Sequence, residues 1–308
     1  MKSPQQIVDP SPERQPIRRV GLIARSWDAL VGETSDRLHT FFASRDVNVH
    51  VDESGPIATL HGAHTGTRED MGEACDLLVA IGGDGTMLDA ANLASRCNKP
   101  LVGINRGRLG FLADISPEDT GPALSEILAG RYIHESRLML RATLTRQDGS
   151  TEHALALNDI VIQKYDVGRM LEVQVHMDGT YVNRHRGDGL IITTPTGSTA
   201  YALSGGGPIM APGLDALAMV PICPHTLSDR PVVVPASSNL NMHIDEPSGG
   251  RAQIMTDGQP LGDMHAGDTL NVMQAAERVT LLHPMDYDYF RILRSKLAWG
   301  RAEPDPRN

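Results

Sequence analysis

Aromatic residues are scarce: four Phe, two Trp and six Tyr in 308 residues, 4% of the chain. So sparse a set excludes the stacking surface that holds single-stranded nucleic acid. Cysteine is nearly absent. Cys75, Cys97 and Cys223 are odd in number and far apart, so they form neither a zinc-type pair nor a disulfide framework. A reducing cytoplasm is the expected compartment. Positive charge is in deficit, with 28 Lys and Arg against 38 Asp and Glu and a formal net charge of −10. That balance argues against a nucleic-acid partner held through phosphate contacts; a nucleotide ligand would need local donors or metal cations. No apolar run approaches the length that crosses a bilayer, so no membrane partner is expected. The opening stretch MKSPQQIVDPSPERQPIRR is polar and proline-rich, unlike a signal peptide, and residues 1–16 are expected to form a flexible tail. Two phosphate loops are also missing: neither G-x-G-x-x-G nor G-x-x-x-x-G-K-[ST] occurs.

What is present reads as a globular chain of one large domain or two modest ones, 40% hydrophobic and 21% charged. From residue 17 to 130 the pattern alternates. VGLIA (20–24), VNVHV (47–51), DLLVAI (76–81) and PLVGIN (100–105) read as strands. Residues 28–45 read as a helix with Leu30, Val31, Leu38, Phe41 and Phe42 on one side, and 116–130 as a second helix capped by Ser116 before Pro117. Such alternation predicts a mostly parallel sheet covered on both faces. The stretch 52–70 reads as a long flexible loop with solvated histidines. From 131 to 286 apolar and polar residues alternate at period two, at 137–146, 154–164, 171–179, 240–246, 251–259, 269–275 and 278–283, which predicts a mainly β region with one short helix near 198–204. Helical spacing returns at 287–300.

Two stretches carry chemistry. LLVAIGGDGTMLDAAN (77–92) reads as a strand, a glycine turn and a helix with Met87, Leu88 and Ala91 at helical spacing. A turn of this kind holds phosphate on free N–H groups at a helix N-terminus. Its central acid, Asp84, would repel phosphate. Without a P-loop lysine, charge on a transferred phosphoryl must be met by backbone donors and a metal, and Asp84 then makes sense as a base for a substrate hydroxyl or an indirect metal partner. The plain alternative is a tight turn with Asp at a permissive position. The second stretch, GDGLIITTPTGSTAYALSGGGPI (187–209), gathers glycines and the hydroxyls of Thr193, Thr194, Thr196, Ser198 and Thr199 at a strand-to-helix junction, which suits a ligand rich in oxygen. Thr196 or Ser198 could equally serve as a helix N-cap.

Six blocks in order, GGDGT (82–86), NRGRLGFL (105–112), LNDIVI (157–162), RGDGLIITTPTGSTAYALSGGGPI (186–209), PICPHTLSDRPVVV (221–234) and TDGQ (256–259), resemble the NAD kinases. The match runs from about Val20 to Gly300. The glycine turn alone also resembles diacylglycerol, sphingosine and 6-phosphofructokinases. Asn158-Asp159 stands where many relatives carry Asn-Glu, and Gly205 where alanine is common. The resemblance implies a Rossmann-like α/β N-terminal domain (17–130), a mainly β NAD-binding domain (131–286), and a C-terminal helix and tail (287–308) packing back on the first domain. It implies transfer of the terminal phosphoryl of ATP to the 2′-hydroxyl of the adenosine ribose of NAD, with a divalent metal, Mg²⁺ or Mn²⁺, to which no direct protein ligand is assigned. Asp84 matches the family's base. Gly82, Gly83, Gly85 and Thr86 match its phosphate turn, and Asn158, Asp159, Arg169, Arg186 and Asp188 match its dinucleotide contacts. Thr196 and the run Thr199, Ala200, Tyr201, Ala202, Leu203 and Ser204 match the adenosine side, and Gln259 a further polar contact. Asn158 as a turn residue, Arg169 as a solvated residue and Tyr201 as core are the plain alternatives. The resemblance also implies a homodimer or homotetramer with Asp188 near a neighbour's site.

Other readings fit less well. A lipid kinase would need an apolar acyl pocket and a membrane-seeking surface. A dinucleotide-dependent oxidoreductase would need the G-x-G-x-x-G turn. A non-catalytic dinucleotide sensor is opposed only by Asp84.

Overall fold

In the computed structural model, residues 5–8, 16–106, 110–165, 170–244 and 251–299 are described here. The chain divides into two compact units, one of Gln5–Glu135 with the chain from Thr280, the other Ser136–Val279.

The first unit holds β1 (Gln5–Val8), β2 (Arg19–Ile23), α1 (Ala29–Ala43), β3 (Asn48–Asp52), β4 (His64–Gly66), α2 (Arg68–Ala74), β5 (Leu77–Ile81), α3 (Asp84–Arg96), β6 (Pro100–Ile104) and α4 (Thr120–Leu128). Strands β4, β3, β2, β5 and β6 lie side by side in that order, all parallel. Chain order therefore reverses between β2 and β5. All five residues of β5 are buried, as expected of a parallel strand covered on both faces. Burying each large side chain there contributes roughly 1.5–3 kcal/mol. Val31, Leu38 and Phe42 of α1 and Leu124 and Ile127 of α4 close over the same core. Asp28 starts α1 by accepting from the Val31 N–H at 2.8 Å.

Three expectations change here. The stretch 52–70 is not one loop: His64–Gly66 pairs with β3 and Arg68 opens α2, capped by Thr67. Three residues are too few to show a period, which is why the strand is invisible in the sequence. Residues 1–16 are not wholly a tail, since Gln5–Val8 pairs antiparallel with Tyr132–Glu135. Backbone pairing along a strand edge needs no apolar pattern. Ser116 caps a turn that precedes α4 by one step, its Oγ accepting from the Asp119 N–H at 3.1 Å.

The second unit carries β7 (Tyr132–Thr145), β8 (Thr151–Ala156), β9 (Asp159–Lys164), β10 (Leu171–Met177), β11 (Thr180–Gly187), β12 (Gly189–Thr193), a 3₁₀ turn (Gly197–Thr199), α5 (Tyr201–Ser204), β13 (Ala216–Ile222), β14 (Val232–Pro235), β15 (Leu240–Ile244), β16 (Arg251–Thr256), β17 (Gln259–His265) and β18 (Thr269–His283). An antiparallel sheet runs β14-β13-β12-β9-β16-β17. Strand β10 pairs antiparallel with both β11 and β15. Inward residues of these strands, among them Leu140, Ile160, Leu190, Val175 and Leu270, form one core cluster.

The division falls inside β7 and inside β18, so the β region is 136–279 rather than 131–286. The end of β18 joins the parallel strands, Thr280 and Leu281 pairing with Pro100 and Leu101 of β6. Its six residues 278–283 look in sequence like any other half-buried strand; only the partner reveals the change of unit. The segment after it forms α6 (Tyr289–Leu297), assigned with the α/β unit as expected.

Candidate active site

The GGDG turn follows β5 directly and opens α3, with Gly83 as N-cap and Asp84 as first helical residue. Helix geometry leaves the first N–H groups of α3 without intrahelical partners. The turn also sits where the parallel strands reverse order, the place at which open α/β sheets bind ligands outside the carboxyl ends of their strands. Gly82 is required by close approach, for a Cβ there would stand 2.8 Å from the Thr86 Cβ. Gly83 is exposed, and among the described residues no atom lies within 4 Å of such a Cβ.

Asp84 is half-buried, and each carboxylate oxygen accepts one backbone N–H, Oδ2 from Phe111 at 3.1 Å and Oδ1 from Leu112 at 3.0 Å. A carboxylate has about four acceptor positions, so two stay open among the described residues. Gly110 makes the grip possible: a Cβ there would lie 3.2 Å from the Asp84 Cγ and press on its Oδ1. The block NRGRLGFL thus meets GGDGT in space through Asp84, though Gly107, Arg108 and Leu109 lie outside the described residues. Arg106 is held by an ion pair with Asp28, the α1 cap.

In the β unit, the LND and TDGQ blocks also meet. Asp257 and Gly258 have φ of +49° and +76° and join β16 to β17, a two-residue hairpin of the Asp-Gly kind. From that position the Asp257 carboxylate accepts three N–H groups, those of Leu157 at 2.7 Å, Asn158 at 2.8 Å and Asp159 at 3.1 Å. Sequence reasoning passed over Asp257, although the Asp-Gly signal was present. Asp159 is buried, and burial first, then the charge of Asp257, pushes its carboxyl up to about 7. Burial raises Asp257 too, to about 6, against the pull of its three N–H donors.

These shifts fix a pH dependence. An acid whose pKa is raised on folding holds its proton more firmly in the native state, so stability falls as pH rises between the unfolded and folded values. For Asp159 that window runs from about 4 to about 7. The denaturation midpoint is expected to decline across it, and Asp159→Asn to flatten the decline. A midpoint with the same slope in both proteins would contradict this.

Thr193 and the hydroxyls of the TPTGSTA junction are engaged within the protein, two of them on the backbone of residues 157 and 158. Thr193 Oγ1 donates to the Asn158 carbonyl at 3.1 Å, Thr194 Oγ1 to the Leu157 carbonyl at 2.6 Å, and Ser198 Oγ to the Pro195 carbonyl at 2.7 Å. Thr199 Oγ1 donates to the Thr196 carbonyl at 3.3 Å. The capping hydroxyl is Thr194, which accepts from the Gly197 N–H at 3.1 Å, and not Thr196 or Ser198. Thr196 instead accepts from Arg137 at 3.1 Å. Arg137 is 2% exposed, a buried arginine that the β pattern of 137–146 gave no reason to single out. The oxygen-rich run therefore builds the turn, and fewer of its hydroxyls remain for a ligand than their number suggests.

Tyr201 is 42% exposed and is not core. Ala202 is buried, Thr199, Ala200 and Leu203 are half-buried, and Ser204 and Gln259 are exposed. Arg186 pairs with Glu172 at 3.3 Å across the β10–β11 ladder, and Asp188 with Lys164 at 2.5 Å. Arg169 lies outside the described residues. All three cysteines are free thiols. Among the described residues no three His, Cys, Asp or Glu side chains gather as a metal cage, and no helix is long and apolar enough to cross a membrane.

Residues 22–132 match the model of the ATP-NAD kinase N-terminal domain, and 157–283 that of the ATP-NAD kinase C-terminal domain. The chain is 44% identical over 287 residues to the NAD kinase of Chromohalobacter salexigens, covering 93% of this chain and 98% of that one. It is 42% identical over 284 residues to the NAD kinase of Pseudomonas entomophila, covering 92% and 96%. In structure it is similar to yeast NADH kinase complexed with NADH, with a TM-score of 0.85 at 26% identity over 94% of this chain and 90% of that one. An NAD kinase from Archaeoglobus fulgidus in complex with ATP gives a TM-score of 0.70 at 26% identity over 91% and 98%. With both domain models matched in order and relatives above 40% identity along nearly the whole length, the chain belongs to the ATP-NAD kinase family.

Proposed function

We infer that this chain is an NAD kinase, which transfers the terminal phosphoryl of ATP to the 2′-hydroxyl of the adenosine ribose of NAD and releases NADP and ADP. The observation that carries the reading is Asp84, fixed at the reversal of strand order by two backbone N–H groups and keeping acceptor positions free. In this reading those positions receive the ribose hydroxyl and take its proton as the phosphoryl arrives. The N–H groups at the start of α3 meet the phosphates, so carboxylate and phosphate address opposite sides of one turn. Asn158 and Asp159, fixed by Asp257, hold the dinucleotide with Arg169, Arg186, Asp188 and Gln259, while Thr196 and 199–204 form its adenosine wall.

A divalent ion, Mg²⁺ or Mn²⁺, fits as a companion of the donor's phosphates, because octahedral ions of this kind keep most ligands as phosphate oxygen and water. When bound it would neutralise phosphate charge. Free thiols suit a reducing cytoplasm. The direct test is incubation with ATP, Mg²⁺ and NAD and measurement of NADP, with a chelator as control. No NADP at any enzyme concentration would refute the reading.

We also place the protein in a homo-oligomer. Leu227 is 93% exposed, and Val232 and Val233 near it expose apolar surface that a second copy would cover. If Asp188 acts on a neighbour's bound NAD, mixing inactive Asp84→Asn subunits with inactive Asp188→Ala subunits restores part of the activity. No recovery after verified subunit exchange rejects the shared arrangement.

A further inference from the structure

Phosphoryl transfer usually places a cation against the phosphates, and the sequence offers no P-loop lysine. The structure puts a different cation beside the turn. Arg25 lies two residues past β2, the strand adjacent and parallel to β5. Its Nη1 stands 3.3 Å from the place a Cβ would occupy on Gly85. Arg25 thus reaches the GGDG turn from the other side of the crevice that the reversal of strand order opens.

The other cation of its surroundings is already paired. A cavity of about 230 Å³ at the carboxyl ends of β2 and β3 is lined by Arg25, Asp52, Ser54, Arg68 and Asp89 among others. Arg68 is committed to Asp89, with Nη2 2.7 Å from the carboxylate and 3.1 Å from the carbonyl. Asp52 accepts the Ser54 N–H at 2.9 Å and its hydroxyl at 2.8 Å. Among the described residues, Arg25 has no hydrogen bond or ion pair to a carboxylate. Asp89 is taken by Arg68 and Asp52 holds Ser54, so the Arg25 guanidinium is left without an ion pair beside the turn and is suited to an incoming anion.

We propose that Arg25 binds the polyphosphate of the phosphoryl donor. The proposal rests on the kinase reading and adds the group that meets the leaving side of the reaction. The ribose 2′-oxygen forms its bond to the terminal phosphorus while the bond from that phosphorus to the bridging oxygen breaks. The electron pair of the broken bond stays on that oxygen, which leaves as part of ADP, and the hydroxyl proton goes to Asp84. Arg25 balances the negative charge gathering on the departing diphosphate, and its fork can span two phosphate oxygens.

The test uses the full chain with Arg25→Ala and Arg25→Lys beside the parent, with steady-state NADP formation measured against ATP and against NAD. Calorimetric titrations with ATP alone and NAD alone accompany it. In Arg25→Ala the KM for ATP is expected to rise about ten-fold or more, the size of a lost hydrogen bond to a charged group. ATP affinity should fall in step, with NAD affinity within about two-fold of the parent, and Arg25→Lys, which keeps the charge but not the fork, should recover only part of the loss. Unchanged ATP affinity and KM in Arg25→Ala overturn the assignment. So does an equal loss for ATP and NAD, which would mark a structural role. If the parent binds ATP through Arg25 and makes no NADP, the kinase reading fails and the phosphate site stands.

Discussion

Asp84→Asn is expected to lower kcat by about 10²-fold or more, the usual contribution of a positioned base, while NAD affinity changes by only a few-fold. The asparagine has nearly the volume of the aspartate, so the first turn of α3 keeps its place. Its carbonyl oxygen can accept one of the two N–H groups that Phe111 and Leu112 now give. Its amide must face the other as donor against donor, and that costs about one hydrogen bond at a half-buried position. Some loosening of residues 110–112 therefore accompanies the loss of the basic site, and thermal unfolding should detect it as a modest drop. The kinetic loss is larger because the variant has nowhere to send the hydroxyl proton. Single-turnover formation of NADP, with NAD binding measured by calorimetry, separates the two effects. A variant that turns over within a few-fold of the parent would reduce Asp84 to a turn residue.

How far the sequence reached can be seen at this same turn. Apolar Leu77–Ile81, the glycines after it and the helical spacing beyond predict a strand, a glycine turn and a helix, and all three stand where expected. That the acid of the turn is gripped by the backbone of residues 111 and 112 could not be read, because backbone N–H groups carry no side-chain signature. The cation of the neighbourhood was hidden for a related reason. A P-loop lysine has a fixed spacing from its glycines, whereas Arg25 lies 59 residues before Asp84 and reaches the turn only because β2 and β5 are neighbours. In the β unit the period-two pattern predicted strands well and partners poorly. The segments at 269–275 and 278–283 are one strand, β18, and its last residues belong to the parallel sheet. A buried ionic group with the same history is His283. Burial disfavours its charge, yet Asp114 at 2.8 Å and Glu135 at 3.3 Å together hold its pKa above the usual value. Its three members come from positions 114, 135 and 283, a spacing that no local motif could announce.

Asp257→Ala is expected to destabilise the β unit by about 3 kcal/mol or more and to weaken NAD binding. The reason is the number of donors that depend on one carboxylate. Leu157, Asn158 and Asp159 each give it an N–H, and each buried donor left unsatisfied costs about 1–3 kcal/mol. Alanine also fits poorly at a φ of +49°, which Asp and Asn tolerate. Asp257→Asn is the milder probe. It keeps the left-handed turn and an oxygen toward Asn158 and Asp159, but turns an amide donor toward Leu157, so a loss of about 1–2 kcal/mol is expected. The Asn variant also removes the charge that raises Asp159, and Asp159 should then titrate at lower pH. Binding suffers because Asn158 and Asp159, the proposed dinucleotide contacts, take their backbone position from Asp257. Denaturant unfolding of parent and variants gives the stabilities, and calorimetry with NAD gives the affinities. An Asp257→Ala protein as stable as the parent, with unchanged NAD affinity, would mean that water or a neighbouring group satisfies those three N–H groups and that Asp257 does not position the site.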